Sequence, residues 1–195
     1  MTNGEFEKIQ EHYWTLSNRE LDLLGAAAST FQLFMIARVD DTAKFREADL
    51  AAYPLFPEFG VIAKLPWSKN VYDERDAPPQ VLFGAMDPRY DVLSNLGLWL
   101  EYHYKLNPGD NEFIFGYQGL DDPIQIKERT SKLLSDSIEG EWFSLDRPGL
   151  LGSHSVRKLA ATHCRSCGCS KVRCCICYIF IYHKLFNHCY NFASG

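Results

Sequence analysis

The longest apolar pattern runs from Leu21 to about Arg38, where Leu, Ala, Phe and Met recur on every face with no Gly or Pro after Gly25. Such a run predicts a helix buried on all sides, and Ser17-Asn18-Arg19-Glu20 before it has the form of a capping box. Arg38 then falls near the C-terminal end of that helix, where a lone cation ordinarily satisfies the helix dipole. From residue 54 to 84 the rhythm breaks. Pro54, Pro57, Gly60, Pro66, Pro78 and Pro79 punctuate the short apolar runs 59–64 and 80–83. These predict short strands around a polar connection, Asp73-Glu74-Arg75-Asp76, in a ribbon that also carries Lys69. Asp87-Pro88 predicts the next helix start, with Tyr90, Leu93, Gly97, Leu100 and Tyr104 at helical spacing as its core stripe. Residues 112–117 read as a short strand and 124–138 as a helix. The whole is mainly α with a small β-ribbon, an α+β class.

The last patterned stretch is Gly152-Ser153-His154-Ser155-Val156-Arg157-Lys158-Leu159-Ala160-Ala161-Thr162-His163. Ser153 suits an N-cap and Gly168 a C-terminal stop. His154 and Arg157, three apart, then share one face of the first helical turn. An imidazole, a guanidinium and the free N–H groups of that turn make an anion site, above all for phosphate. The bland alternative is a His and an Arg solvating a helix end, and the H-x-x-R spacing alone does not decide between them.

Charge changes the picture. Of 195 residues, 25 are acidic and 20 are Lys or Arg, yet every acid lies at or before Asp146. Residues 147–195 hold seven Lys/Arg and no acid, and all seven cysteines fall between Cys164 and Cys189. A chain that is 46% apolar is no disordered polyelectrolyte. A cysteine-free first 163 residues excludes a disulfide scaffold and points to an intracellular protein. The acidic majority excludes a DNA-coating protein but not a local basic site. The polar start reads as no signal peptide, and the nine-residue apolar run 174–182 is too short to span a bilayer. No membrane partner is expected.

The order of these pieces resembles the catalytic domain of tyrosine recombinases, the integrase family, over roughly residues 14–171. The resemblance rests on Leu16-Ser17-Asn18-Arg19-Glu20-Leu21, on Arg38-Val39-Asp40-Asp41 followed by Asp49-Leu50, on Trp67-Ser68-Lys69-Asn70-Val71, and on Gly152-Ser153-His154-Ser155-Val156-Arg157-Lys158 followed by Ala160-Ala161-Thr162 and Gly168-Cys169-Ser170-Lys171. The last segments look most like Crypton-type recombinases of eukaryotic mobile elements, which implies a nuclear protein acting on double-stranded DNA. The resemblance implies attack by a tyrosine hydroxyl on a DNA phosphodiester, with neither metal nor small-molecule cofactor. Arg38 and Arg157 would hold the non-bridging oxygens, since guanidiniums stay charged and bind them bidentately. Lys69 would protonate the departing 5′-oxygen, with Lys64 as the alternative, and His154 would assist proton transfer at the nucleophile. Lys158, Arg165 and Lys171 would contact DNA, and self-association on DNA is implied.

After Lys171 the chain departs from that pattern. Residues 172–195 have no acid and 16 apolar positions of 24. They resemble nothing in the family and read as translated intron or shifted frame. The expected organisation is an extension at 1–13, an incomplete recombinase-like domain at 14–171 and an atypical tail at 172–195. Tyr190 and Tyr182, 33 and 25 residues past Arg157, are the nucleophile candidates by arithmetic, and neither is secure. The expectation is a phosphate-holding chain that does not cleave. The rival readings are a non-catalytic DNA-binding remnant and a zinc-binding interaction protein using Cys164, Cys167, Cys169, Cys174, Cys175, Cys177, His183 and His188.

Overall fold

The computed structural model describes residues 1–65, 79–106, 112–116, 122–140, 143–145, 151–166 and 168. Within them the order is α1 (Asn3–Trp14), α2 (Arg19–Met35), α3 (Val39–Ala43), β1 (Leu50–Ala52), β2 (Gly60–Ala63), β3 (Gln80–Phe83), α4 (Val92–Leu106), α5 (Pro123–Glu139) and α6 (Ser155–Ser166).

α2 is the axle. Every residue from Asp22 to Met35 is buried, because helices α1, α3, α4, α5 and α6 all touch it. This is the all-round apolar helix that the sequence predicts, but both of its ends differ from expectation. Asn18, not Ser17, is the N-cap and accepts from the Leu21 N–H at 3.4 Å. Asp22 takes the reach-back role, accepting the Asn18 N–H at 2.8 Å and the Ser17 hydroxyl at 3.2 Å. At the other end the helix stops at Met35, and Ile36 turns left-handed at φ 50°. The Ile36 N–H then meets the Leu33 carbonyl and the Ala37 N–H the Gln32 carbonyl, a Schellman closure. A β-branched residue in that region is strained, by about 1–3 kcal/mol. Packing of Ile36 against the core holds it there.

The segment read in sequence as residues 1–13 forms most of α1. Thr2 and Glu5 cap it reciprocally, at 3.2 and 2.6 Å. Phe6, Ile9 and Tyr13 enter the same core as α2. Tyr13 lies against Gly25, where an added Cβ would fall 2.6 Å from its ring. Its hydroxyl accepts from Ser137 of α5 at 2.9 Å, and burial raises its pKa to about 12.

The sheet is antiparallel in the order β1-β2-β3, with Ala51 opposite Ile62 and Val61 opposite Leu82. β2 and β3 match the predicted ribbon, and β1 adds an edge the apolar pattern did not mark. Residues 112–116 make a single bridge, Arg46 to Phe113, rather than the predicted strand. They are tied inward by Trp99, whose indole N–H donates to the Ile114 carbonyl at 2.7 Å, and by Phe115 against Phe31. α4 begins later than Asp87-Pro88 suggests. Asp91 is its cap, accepting the Leu93 and Ser94 N–H groups at 3.1 and 3.2 Å. Its buried stripe is Val92, Leu96, Trp99 and His103, whereas Gly97 and Tyr104 are exposed. Among the described residues, no helix is long and apolar enough to cross a membrane.

Candidate active site

α3 is a five-residue helix between two turns. Arg38 is its N-cap residue, in extended conformation, with its backbone N–H donated to Asp41 Oδ2 at 2.9 Å. Thr42 completes the turn by donating its hydroxyl to the Arg38 carbonyl at 3.0 Å. Arg38 therefore opens the helix after α2 instead of closing α2. The cause is the left-handed Ile36, which reverses the chain two residues earlier. A helix-dipole role at the α2 C-terminus is thereby removed, and the half-buried side chain is assigned to the α2–α3 corner.

α6 supplies the second arginine. Val156, Leu159, Ala160 and Cys164 recur at helical spacing and are buried against the core. That stripe fixes the rotation of the helix and turns its other face outward. His154 and Lys158 are exposed there, three and two turns before Arg165, which is also exposed. The helix begins at Ser155 rather than after a Ser153 cap. Ser155 makes its own turn, accepting the Gly152 N–H at 2.9 Å and donating its N–H to the Gly152 carbonyl at 2.8 Å. His154 occupies the cap position, its carbonyl taking the Lys158 N–H at 3.0 Å. His154 and Arg157 still share the first turn, as their spacing predicts. Gly168, at φ 80°, closes the far end.

The two arginine turns meet at one carboxylate. Arg157 Nη1 lies 3.9 Å from Asp41 Oδ2, the same oxygen that receives the Arg38 N–H. The Asp41 side chain is 6% exposed and that of Arg157 33%, so the anion is buried and the cation partly exposed. Burial raises the Asp41 pKa above its ordinary value. The Arg38 N–H bond and the charges of Arg38 and Arg157 oppose that rise, and Asp40 adds to it. Asp41 thus acts as a brace for two guanidinium-bearing turns that are remote in sequence. It stands in the quoted Arg38-Val39-Asp40-Asp41 box, but the sequence reading gave it no role. The usable signal was an acid three residues after a turn-opening arginine, a pattern repeated at Arg46, whose N–H donates to Asp49 at 3.0 Å.

Lys69, Lys171, Tyr182 and Tyr190 lie outside the described residues. Lys64, the alternative to Lys69, follows β2, is half-buried and donates its backbone N–H to the Asp49 carbonyl at 3.0 Å. Of the zinc candidates only Cys164 is described, and it is buried on α6. Among the described residues no group of three His, Cys, Asp or Glu could hold a metal.

This helical core with its three-stranded ribbon is a tyrosine-recombinase-like fold. It is similar to the XerH site-specific recombinase bound to difH substrate in a pre-cleavage complex, with a TM-score of 0.56 and 14% identity over 85% of this chain. The post-cleavage complex of XerH with palindromic difH substrate gives 0.54 and 15% identity over 83%. The chain spans about 42% and 40% of those two recombinase chains. No protein-family description matches the sequence, and no curated protein does.

Proposed function

We propose that this chain is the DNA breaking-rejoining module of a mobile element in a form that binds but does not cleave, of the Crypton-like kind and acting in the nucleus, in which Arg38 and Arg157 grip one phosphate of duplex DNA. The observation that carries the reading is the convergence of both arginine turns on Asp41 within a tyrosine-recombinase-like fold. The pentacoordinate state of phosphoryl transfer gains charge on its non-bridging oxygens, and a pair of guanidiniums stabilises that charge without titrating near neutral pH. His154, in the same turn as Arg157, would move the nucleophile's proton. Lys69 would supply the leaving oxygen's proton. Lys158, Arg165 and Lys171 would follow the backbone on either side, and a second copy would complete strand exchange.

The tail after Lys171 does not continue the recombinase pattern, so the reading for this chain is phosphate binding without cleavage. Nicked duplexes from the flanks of the encoding element test it. The expected result is a salt-sensitive complex with no adduct that survives denaturing electrophoresis. A covalent adduct that disappears in Tyr190→Phe or Tyr182→Phe would instead establish cleavage and name the nucleophile. Absence of any complex would refute the reading.

A further inference from the structure

α3 carries a second acid beside Asp41, and it pairs with a different helix. Asp40 Oδ1 lies 2.8 Å from Lys127 Nζ on α5, and both side chains are nearly half-exposed. The pair is not remote from the arginines. Asp40 perturbs Asp41 through its charge, and α3 packs against α5, the helix that carries Lys127. Lys127 and Arg157 therefore reach adjacent acids of α3, Lys127 with a flexible ammonium and an exposed carboxylate partner.

Resting on the DNA-binding reading above, we infer that Lys127 is a further phosphate contact beside the arginine pair, and that Asp40 is its internal stand-in for phosphate. The Asp40 carboxylate holds Lys127 at 2.8 Å, directed across α3, in the absence of DNA. A DNA phosphate offers the same kind of charged acceptor with more negative charge. It takes the ammonium from Asp40, which then remains as a nearby repulsive charge. Asp40 thus tunes how tightly non-cognate DNA is held, since the Lys127–phosphate contact must first displace it. Exposed ion pairs contribute little to stability, so either side chain can be removed without unfolding the protein.

The test measures binding of the full chain to a fluorescein-labelled random-sequence duplex across a salt series. Lys127→Ala should weaken binding and lower the slope of log Kd against log salt by about one, the value for one lost phosphate contact. Asp40→Asn should do the opposite and tighten binding several-fold. That gain should vanish in Asp40→Asn/Lys127→Ala. Opposite signs for the two single variants are the signature, because a pair that merely ties α3 to α5 would move both in one direction. Equal-sign effects, or an unchanged slope in Lys127→Ala while Arg157→Ala still lowers it, would overturn the inference and leave the proposed function standing. Wild-type binding no stronger than that of Arg38→Ala/Arg157→Ala would overturn both.

Discussion

Arg89 and the Arg38–Arg157 pair are both arginine clusters, built in opposite proportions. Arg89 is one cation among three carboxylates. It bonds Asp87 through Nε and Nη2 at 3.0 and 2.8 Å, and Glu7 and Glu11 through Nη1 at 3.2 and 2.8 Å. These bonds, to Asp87 first, raise its pKa further above its already high value. The cluster pins α1 to the turn before α4, and Tyr90 adds a 2.8 Å bond to Glu7. At the other site two guanidinium-bearing turns converge on one buried carboxylate, and the ion pair to Arg157 is long. The first arrangement has nothing to offer an anion. The second has two cationic turns to one carboxylate, and the proposed phosphate grip rests on that ratio. Charge ratio, more than the presence of arginine, separates the staple from the proposed binding site.

The comparison can be broken by removing each cluster in turn. Arg38→Ala/Arg157→Ala should have the largest effect, since a hydrogen bond to a charged group is worth about 1.5–3 kcal/mol and two are lost. Duplex affinity should fall at least a hundredfold, and thermal unfolding should also drop because buried Asp41 loses both opposing charges. Gly25→Ala strikes the packing that the Arg89 staple serves. Its Cβ would press into the Tyr13 ring at 2.6 Å, and urea titration should show a loss of about 2 kcal/mol. Arg89→Ala comes next. The Arg89 side chain is 32% exposed and that of Glu11 60%, so these are surface pairs and the loss should be about 1 kcal/mol, with DNA affinity preserved. A fall in affinity in Arg89→Ala equal to that in Arg157→Ala would erase the distinction between the clusters.

The smallest effect is a pH dependence centred on Asp41. Burial raises its folded-state pKa above 3.8, against the opposing pull of the Arg38 N–H and the two arginine charges. The folded chain then holds this proton more tightly than the unfolded chain does. The stabilisation is complete below pH 3.8 and is lost as pH rises through the folded value. The stability of wild type relative to Asp41→Asn should therefore decline across that weakly acidic interval and level off above it. A difference that grows with pH would show that the arginine charges outweigh burial.

Parts of this molecule were legible in the chain because the signals are local. An unbroken apolar run can only be a buried helix, so α2 was readable. His154 and Arg157 are one turn apart by arithmetic, and the fold keeps them so. The ribbon strands were announced by their bounding Pro and Gly. Other features depend on what meets from afar. Arg38 was placed on the wrong helix because the stop at Ile36 uses a left-handed β-branched residue, where the usual signal is glycine. The α4 stripe was read one position off because Tyr90 and Tyr104 are amphipathic rings, whereas the buried face includes Asn95 and His103. Asp41 became visible only when α6, packed on α2, brought Arg157 within reach of it, a meeting that no local window contains.

The most direct test is a structure of the full chain on duplex DNA. The account predicts one phosphate within hydrogen-bonding reach of both guanidiniums, Arg38 and Arg157, with Asp41 still holding the Arg38 N–H beneath them. DNA lying on another face, or the two arginines reaching different phosphates with Asp41 released, would contradict it.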